Sequence, residues 1–272
     1  MHFSLSSQLS ETLDIARYSN IPVLLTGKEG IGKSEFLTEH ANIRDLELTV
    51  LDLSLFRLED FTAELMKPTL MGLPDSNSSK KHILVVKKLN QCSQDIQKIS
   101  LRLLTNRQLH SYRLPQKIFL VACMTTDDEG HCLSTIDSSI LSKFLTIPIK
   151  TDLQSWLRWS EENFVHPIIQ AYVEQTLFPF EKISPRTYVH ISHILKSMDL
   201  HTWNQTTINS IIESILGHCA DHFLFFMREW LSESHFNDHI YRAEENLQIV
   251  KYNFEHEEDY EPSYAIKTVR KL

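Results

Sequence analysis

Residues Gly27-Lys28-Glu29-Gly30-Ile31-Gly32-Lys33-Ser34 read G-x-x-x-x-G-K-S, a spacing whose chemistry is phosphate binding. Gly27, Gly30 and Gly32 let the backbone wrap closely around an anion, so that successive N–H groups and the start of the next helix face it. Lys33 then neutralises the β- and γ-phosphates of a nucleotide, and the Ser34 hydroxyl is the group expected on Mg²⁺. The ligand implied is ATP or ADP. Binding alone does not cleave a phosphoanhydride: turnover needs further groups that hold the metal and orient the attacking water.

The flanking sequence supplies the elements such a loop requires. Ile21 to Leu25 reads as a buried strand before it, and Glu35 to His40 as a helix after it. Ser4 to Asn20, with Leu9, Leu13, Ile15 and Ala16 at helical spacing, predicts an opening helix. Further strands are expected at Leu46–Leu53, Lys81–Val86, Lys117–Cys123 and Leu145–Ile149, and helices around Leu58 to Met66 and from Ser93 to Thr105. Strands alternating with helices imply right-handed crossovers and a parallel sheet covered on both faces. From Leu153 the strand signals stop. Trp156–Asn163, Pro167–Gln175, Pro185–Met198, Thr206–Leu216 and Cys219–Trp230 all read as helices. The expected division is an α/β nucleotide-binding domain at 1–150, a helical lid at 151–231 and a charged tail at 232–272, with Glu255-His256-Glu257-Glu258-Asp259 and the basic stretch Lys267 to Lys271 in that tail.

Composition is that of a globular chain, with 42% hydrophobic and 23% charged residues among 272. A net charge of -8 argues against broad nucleic-acid binding. No apolar run approaches the roughly 20 residues of a membrane span, and no signal peptide is visible. Cys92, Cys123, Cys132 and Cys219 lack metal or disulfide spacing, so they are expected to be reduced, in a cytoplasmic protein. His218 and His222, with His235 and His239, repeat an i, i+4 pair that could meet around zinc, although packing beside Phe223, Phe225 and Phe226 is the simpler reading. Trp156 and Trp159 read as lid core.

Several short blocks together resemble the AAA+ ATPases, and within them the MoxR-like branch, over about residues 5 to 230. They are the loop Gly27 to Ser34, the strand Val50-Leu51-Asp52-Leu53-Ser54, the stretch Leu103 to Leu109 with Tyr112-Arg113-Leu114-Pro115, the segment Ile136 to Phe144, and Ser184-Pro185-Arg186-Thr187-Tyr188. The resemblance implies a P-loop AAA+ parallel-sheet core with a C-terminal α-helical lid. It also implies a helix and hairpin before a sensor strand, and a second sensor at Arg186. Ser184 and Pro185 suit the start of a helix, which places Arg186 in its first turn, where a phosphate is a natural partner for the cation.

The departures from that family decide the expected activity. After Ile83-Leu84-Val85-Val86 the family has an Asp that holds the Mg²⁺ shell and a Glu that orients water; here Lys87 and Lys88 stand there, and no acid occurs between Asp75 and Asp95. The first-sensor position, where the family has Asn, is Thr125, and the arginine-finger position is Lys143, which lacks the planar fork that grips phosphate. The acidic cluster Asp127-Asp128-Glu129 could approach a metal from another direction. The expected protein is a degenerate MoxR-like chain that binds ATP or ADP, with Mg²⁺ binding weakened and little or no hydrolysis. It would serve as a structural or regulatory subunit of a homo- or hetero-oligomer, with a hexamer and a von Willebrand A domain partner implied by resemblance. An active remodelling ATPase with atypical residues, and a DNA-associated adaptor like the inactive subunits of clamp loaders, are the alternatives.

Overall fold

The computed structural model describes residues 7–59, 81–109, 112–126, 138–177, 179–197 and 204–232. Most of the helix expected around Leu58 to Met66, the cluster Asp127-Asp128-Glu129, Ile136-Asp137, Cys132 and the tail after Ser232, with His235 and His239, lie outside them. The chain divides into two compact units, Met1–Trp156 with Ser184–Arg186, and Leu157–Ile183 with Thr187–Leu272. Among the described residues no helix is long and apolar enough to cross a membrane.

In the first unit, α1 (Ser7–Tyr18) leads into β1 (Val23–Gly27), α2 (Lys33–Ile43) and β2 (Glu47–Asp52). After β3 (His82–Lys87) come α3 (Gln94–Asn106), a two-stranded hairpin of β4 (Gln108–Leu109) and β5 (Tyr112–Arg113), β6 (Ile118–Thr125), the short α4 (Ser138–Leu141) and β7 (Leu145–Pro148). The five-stranded sheet is parallel throughout, in the order β2-β3-β6-β1-β7. Residue choice follows position in it. The interior strands β3 and β6 are nearly unbroken apolar runs, buried on both faces, whereas in the edge strand β2 exposed Val50 sits between buried Thr49 and Leu51, and Glu47 at its start is exposed.

Side chains of successive strand residues fall on opposite faces and build separate cores. Leu24, Leu84, Val86, Leu120 and Ala122 meet Ile96, Leu103 and Leu104 of α3 on one face. Val23, Leu25, Ile83, Val85 and Val121 meet Leu9 and Leu13 of α1 and Leu37 and Ala41 of α2 on the other. The helix α3 begins at an N-cap, Ser93, whose hydroxyl accepts from the Ile96 N–H, and ends at Arg107 in the left-handed conformation. The Arg107 guanidinium then acts as a clasp. It donates to the carbonyls of Pro115 at 2.7 Å, Gln116 at 3.2 Å and Ile118 at 2.6 Å, and to Asn20 Oδ1 at 3.2 Å. It thereby ties the hairpin, the start of β6 and the turn before β1 to the end of α3.

The second unit is helical: α5 (Leu153–Glu162), which starts in the first unit, is followed by α6 (Pro167–Gln175), α7 (Pro179–Lys182), α8 (Pro185–Ser197), whose first two residues also belong to the first unit, α9 (Gln205–Leu216) and α10 (Ala220–Ser232). Tyr172 is at its centre, with ring centroids 5.0 Å from Phe223, 5.2 Å from Phe226 and 6.1 Å from Tyr188. Its hydroxyl pairs with His222 Nδ1 at 2.8 Å. Gly217 (φ 53°) interrupts the helical run, so His218 sits in the 3₁₀ turn Gly217–Cys219 and not on the same α-helix as His222, contrary to the sequence expectation. Among the described residues no group of three or more His, Cys, Asp or Glu is placed to hold a metal. Trp156 is buried and Trp159 half-buried.

At the start of α6 the His166 ring caps the helix: Nδ1 accepts from the Ile168 N–H at 3.2 Å, while the His166 backbone N–H donates to Ser192 Oγ at 2.8 Å. Burial, and secondarily the nearby Lys196, push the imidazole down to about 4. Below about pH 6.5 the unfolded chain takes up a proton that the folded ring refuses, so stability is lost as pH falls through that window. Urea unfolding of the full chain should show His166→Asn, which keeps a capping oxygen but cannot titrate, losing about 1–2 kcal/mol less than wild type between pH 7.5 and pH 5. Parallel pH profiles for the two proteins would contradict this.

Candidate functional site

The loop between β1 and α2 is shaped by crowding as well as by backbone freedom. A Cβ on Gly27 would lie 2.6 Å from the Ile149 carbonyl oxygen, so only glycine lets β1 turn this close to the end of β7. Gly30 and Gly32 have φ of 76° and 94°, the left-handed region that other side chains avoid. Gly32 is the N-cap of α2 and supplies no side-chain cap, which leaves the first N–H groups of that helix to the loop's concave face. Lys33 folds back over this cradle, its Nζ donating to the carbonyls of Gly27 and Lys28 at 2.7 Å each. Burial pushes its pKa down, with Cys123 and Glu29 opposing and Arg186 adding to the effect. The segment Ser184–Arg186 belongs to the same unit: the Arg186 N–H donates to the Gly30 carbonyl at 3.1 Å, and its guanidinium pairs with Glu29 at 3.6 Å.

The opposite wall is made by the carboxyl ends of the strands. Register places Asp52 level with Lys87 and Gly27 level with Thr125, so four strand ends converge on one cleft of about 240 Å³. This is where the strand order reverses around β1, the usual ligand position in an open parallel sheet. Asp52 accepts from the Ser54 N–H at 3.1 Å and from its hydroxyl at 2.7 Å, and pairs with Lys88 at 3.6 Å. Although partial burial raises its pKa, the Ser54 hydrogen bonds and the two lysines outweigh that, and the carboxyl titrates below its ordinary value. Lys88 adopts φ 57°, an uncommon conformation for a non-glycine residue, and its Nζ also donates to Ser54 Oγ at 3.3 Å. Lys87 lines the cleft, and its side chain has no hydrogen bond or ion pair to any described residue. Cys123, at the floor, is fully buried, which raises its thiol to about 11 and keeps it protonated.

Glu29, Gly30, Ile31, Gly32, Lys33, Ser34, Lys87, Lys88, Thr125 and Arg186 thus meet around one cavity, with Gly27 and Lys28 forming the base of the loop. Lys143 is exposed and does not line that cleft. Sequence reading missed Asp52 as a site residue, and with it Glu35, Cys123 and Asn90. The available signal for Asp52 was its position as the last residue of a strand in a parallel sheet, since all such residues share one edge with the loop. Asn90 left no signal. Its Nδ2 donates to the Thr125 carbonyl at 2.6 Å and its Oδ1 accepts from the Thr125 N–H at 3.0 Å, extending the β3–β6 ladder by a side chain.

Among the described residues, those lining the cleft are a poor fit to Mg²⁺. Ser34 offers one hydroxyl, but the strand-end carboxylate Asp52 is committed to Ser54 and Lys88, and Lys87 and Lys88 hold the places beside it. Glu35 is a lone exposed carboxylate in the first turn of α2.

No protein-family model and no curated protein matches the chain. Among solved structures it is similar to NtrX from Brucella abortus, with 14% identity and a TM-score of 0.46 over 71% of this chain and 50% of that one. A structure of NtrX in complex with ADP gives 15% and 0.45 over 70% and 49%. A single-residue variant of RuvB from Thermotoga maritima gives 16% and 0.47 over 84% and 69%. These neighbours are P-loop AAA+ ATPases. The chain spans about half the length of NtrX.

Replacing Asn90 by Ala removes both bonds to the Thr125 backbone and leaves a half-buried N–H and C=O without those partners. The expected loss is about 2–3 kcal/mol in urea unfolding. A loss under about 0.5 kcal/mol would mean that water replaces the side chain at no cost.

Proposed function

We propose that this chain is a degenerate AAA+ protein that binds ATP or ADP and hydrolyses it slowly or not at all. The observation that supports this most directly is the pair Lys87–Lys88 at the carboxyl end of β3, facing a well-formed phosphate loop across a shared cleft. Two ammonium groups there oppose a divalent metal and cannot orient water as a base. The cradle itself does not need the missing acids, because its donors are backbone N–H groups and Lys33. Thr125, in place of Asn at the strand end, still offers one hydroxyl.

In this reading the protein is a structural or regulatory subunit of a protein-remodelling or assembly complex. Its role there rests on keeping the loop, Arg186 and the helical unit while losing catalytic carboxylates. The assignment to the MoxR-like branch, and with it a von Willebrand A domain partner and a hexameric ring, is supported by the sequence blocks alone. Lys143 on an exposed segment is available to a neighbouring subunit's nucleotide.

Two measurements test the proposal. ATP or ADP at a hundredfold excess over its dissociation constant should raise apparent stability by about 2.7 kcal/mol in a thermal-shift titration, and Lys33→Ala should abolish the shift. ATP turnover by the wild-type chain should not exceed that of Lys33→Ala. Robust turnover that Lys33→Ala removes would establish an active ATPase instead, and absence of any nucleotide-dependent shift would leave the loop as a relic.

A further inference from the structure

We propose that the cleft takes its nucleotide as the metal-free anion, with the Lys87 ammonium standing where a divalent cation would, so that Mg²⁺ weakens binding. This rests on the reading of the cleft as a nucleotide site and concerns the ionic form it selects.

The cleft's cations differ in how far they are already committed. Among the described residues four line it: Lys33, Lys87, Lys88 and Arg186. Three are engaged. Lys33 bonds to its own loop carbonyls at 2.7 Å, Lys88 pairs with Asp52 at 3.6 Å, and Arg186 pairs with Glu29 at 3.6 Å. Lys87 has no such partner among the described residues. It is the last residue of β3, level with Asp52 on the neighbouring strand, and close enough to act electrostatically on both Asp52 and Cys123.

A polyphosphate seated on the loop therefore meets an uncommitted ammonium from the strand side, where a metal would otherwise bridge to a carboxylate. Lysine is a compact point charge with three donors on a flexible stem, suited to replacing part of a metal's charge on phosphate oxygens. Mg²⁺ carried in on the nucleotide has the opposite effect. It neutralises phosphate charge that Lys33 and Lys87 attract, and it brings a dication toward two lysines with no free strand-end carboxylate to ligate it. Besides the paired Glu29 and Asp52, Glu35 is the acid that lines the cleft among the described residues, and one exposed carboxylate does not reverse that balance.

The test is calorimetric titration of the full chain with ADP and with ATP, at constant ionic strength, in excess EDTA or in millimolar MgCl₂. The expected result is binding about threefold to tenfold tighter in EDTA. Lys87→Ala should weaken the EDTA affinity about tenfold, and Lys87→Asp should reverse the sign so that Mg²⁺ tightens binding. Equal affinities in the two buffers, or tighter binding of wild type with Mg²⁺, overturn the proposal while leaving the nucleotide site intact. Binding in neither buffer overturns the site itself. Should either Lys87 variant fail to fold, as judged by circular dichroism, the two wild-type titrations still separate these outcomes.

Discussion

Parallel pairing of β1 with β6 on one side and β7 on the other places Gly27 level with Thr125 and presses it against the Ile149 carbonyl. The position of the phosphate loop, the direction of α2 and the convergence of strand ends all depend on that register. In a parallel sheet the strands finish along one edge, so whatever residues terminate them become neighbours regardless of their distance in sequence. Here they are a glycine, an aspartate, a lysine and a threonine, and their proximity turns separate sequence signals into one electrostatic site.

In the proposed reading, Lys87 and Lys88 put positive charge at the strand ends where hydrolysis would need groups that hold a metal. Asp52 is the strand-end carboxylate of the cleft, and its Oδ1 accepts twice from Ser54 while its Oδ2 faces Lys88. The left-handed Lys88 marks the same place as conformationally costly, and the cost is carried by the tight connection that follows β3. Charge, hydrogen bonding and backbone conformation at the end of β3 are together what the proposed reading of anion binding without hydrolysis rests on.

Local patterns made much of the fold legible in the sequence. The runs Lys81–Val86 and Lys117–Cys123 read as strands of a parallel sheet covered on both faces, and the G-x-x-x-x-G-K-S spacing located the turn from β1 into α2. The hairpin before β6 was expected only through the family resemblance of the block Leu103 to Pro115. What escaped were interactions that exist only after the register is set. Asn90 completes a ladder between strands, Arg107 gathers carbonyls from a loop downstream of it, and Asp52 reaches the cleft because β2 pairs with β3. None of these has a local signature, since each depends on which strands become neighbours. The position of His218 failed for the opposite reason: a single glycine with positive φ overrode an i, i+4 spacing that looked helical.

The pairing of β1 with strands made about a hundred residues later also constrains the order in which the molecule is built. Pro22 has to wait for the Leu145 N–H, Gly27 for that of Thr126, Thr26 for that of Ile149, and Gly30 for that of Arg186. Such distant contacts are slow because the intervening chain loses entropy before the pairing compensates it. During synthesis, the glycine-rich turn therefore leaves the ribosome long before the groups that hold it in shape. If the loop holds nucleotide as proposed, that ligand would meet a complete cradle after the sheet has closed around β1, and would act as a late check on a nearly finished domain rather than as an early template.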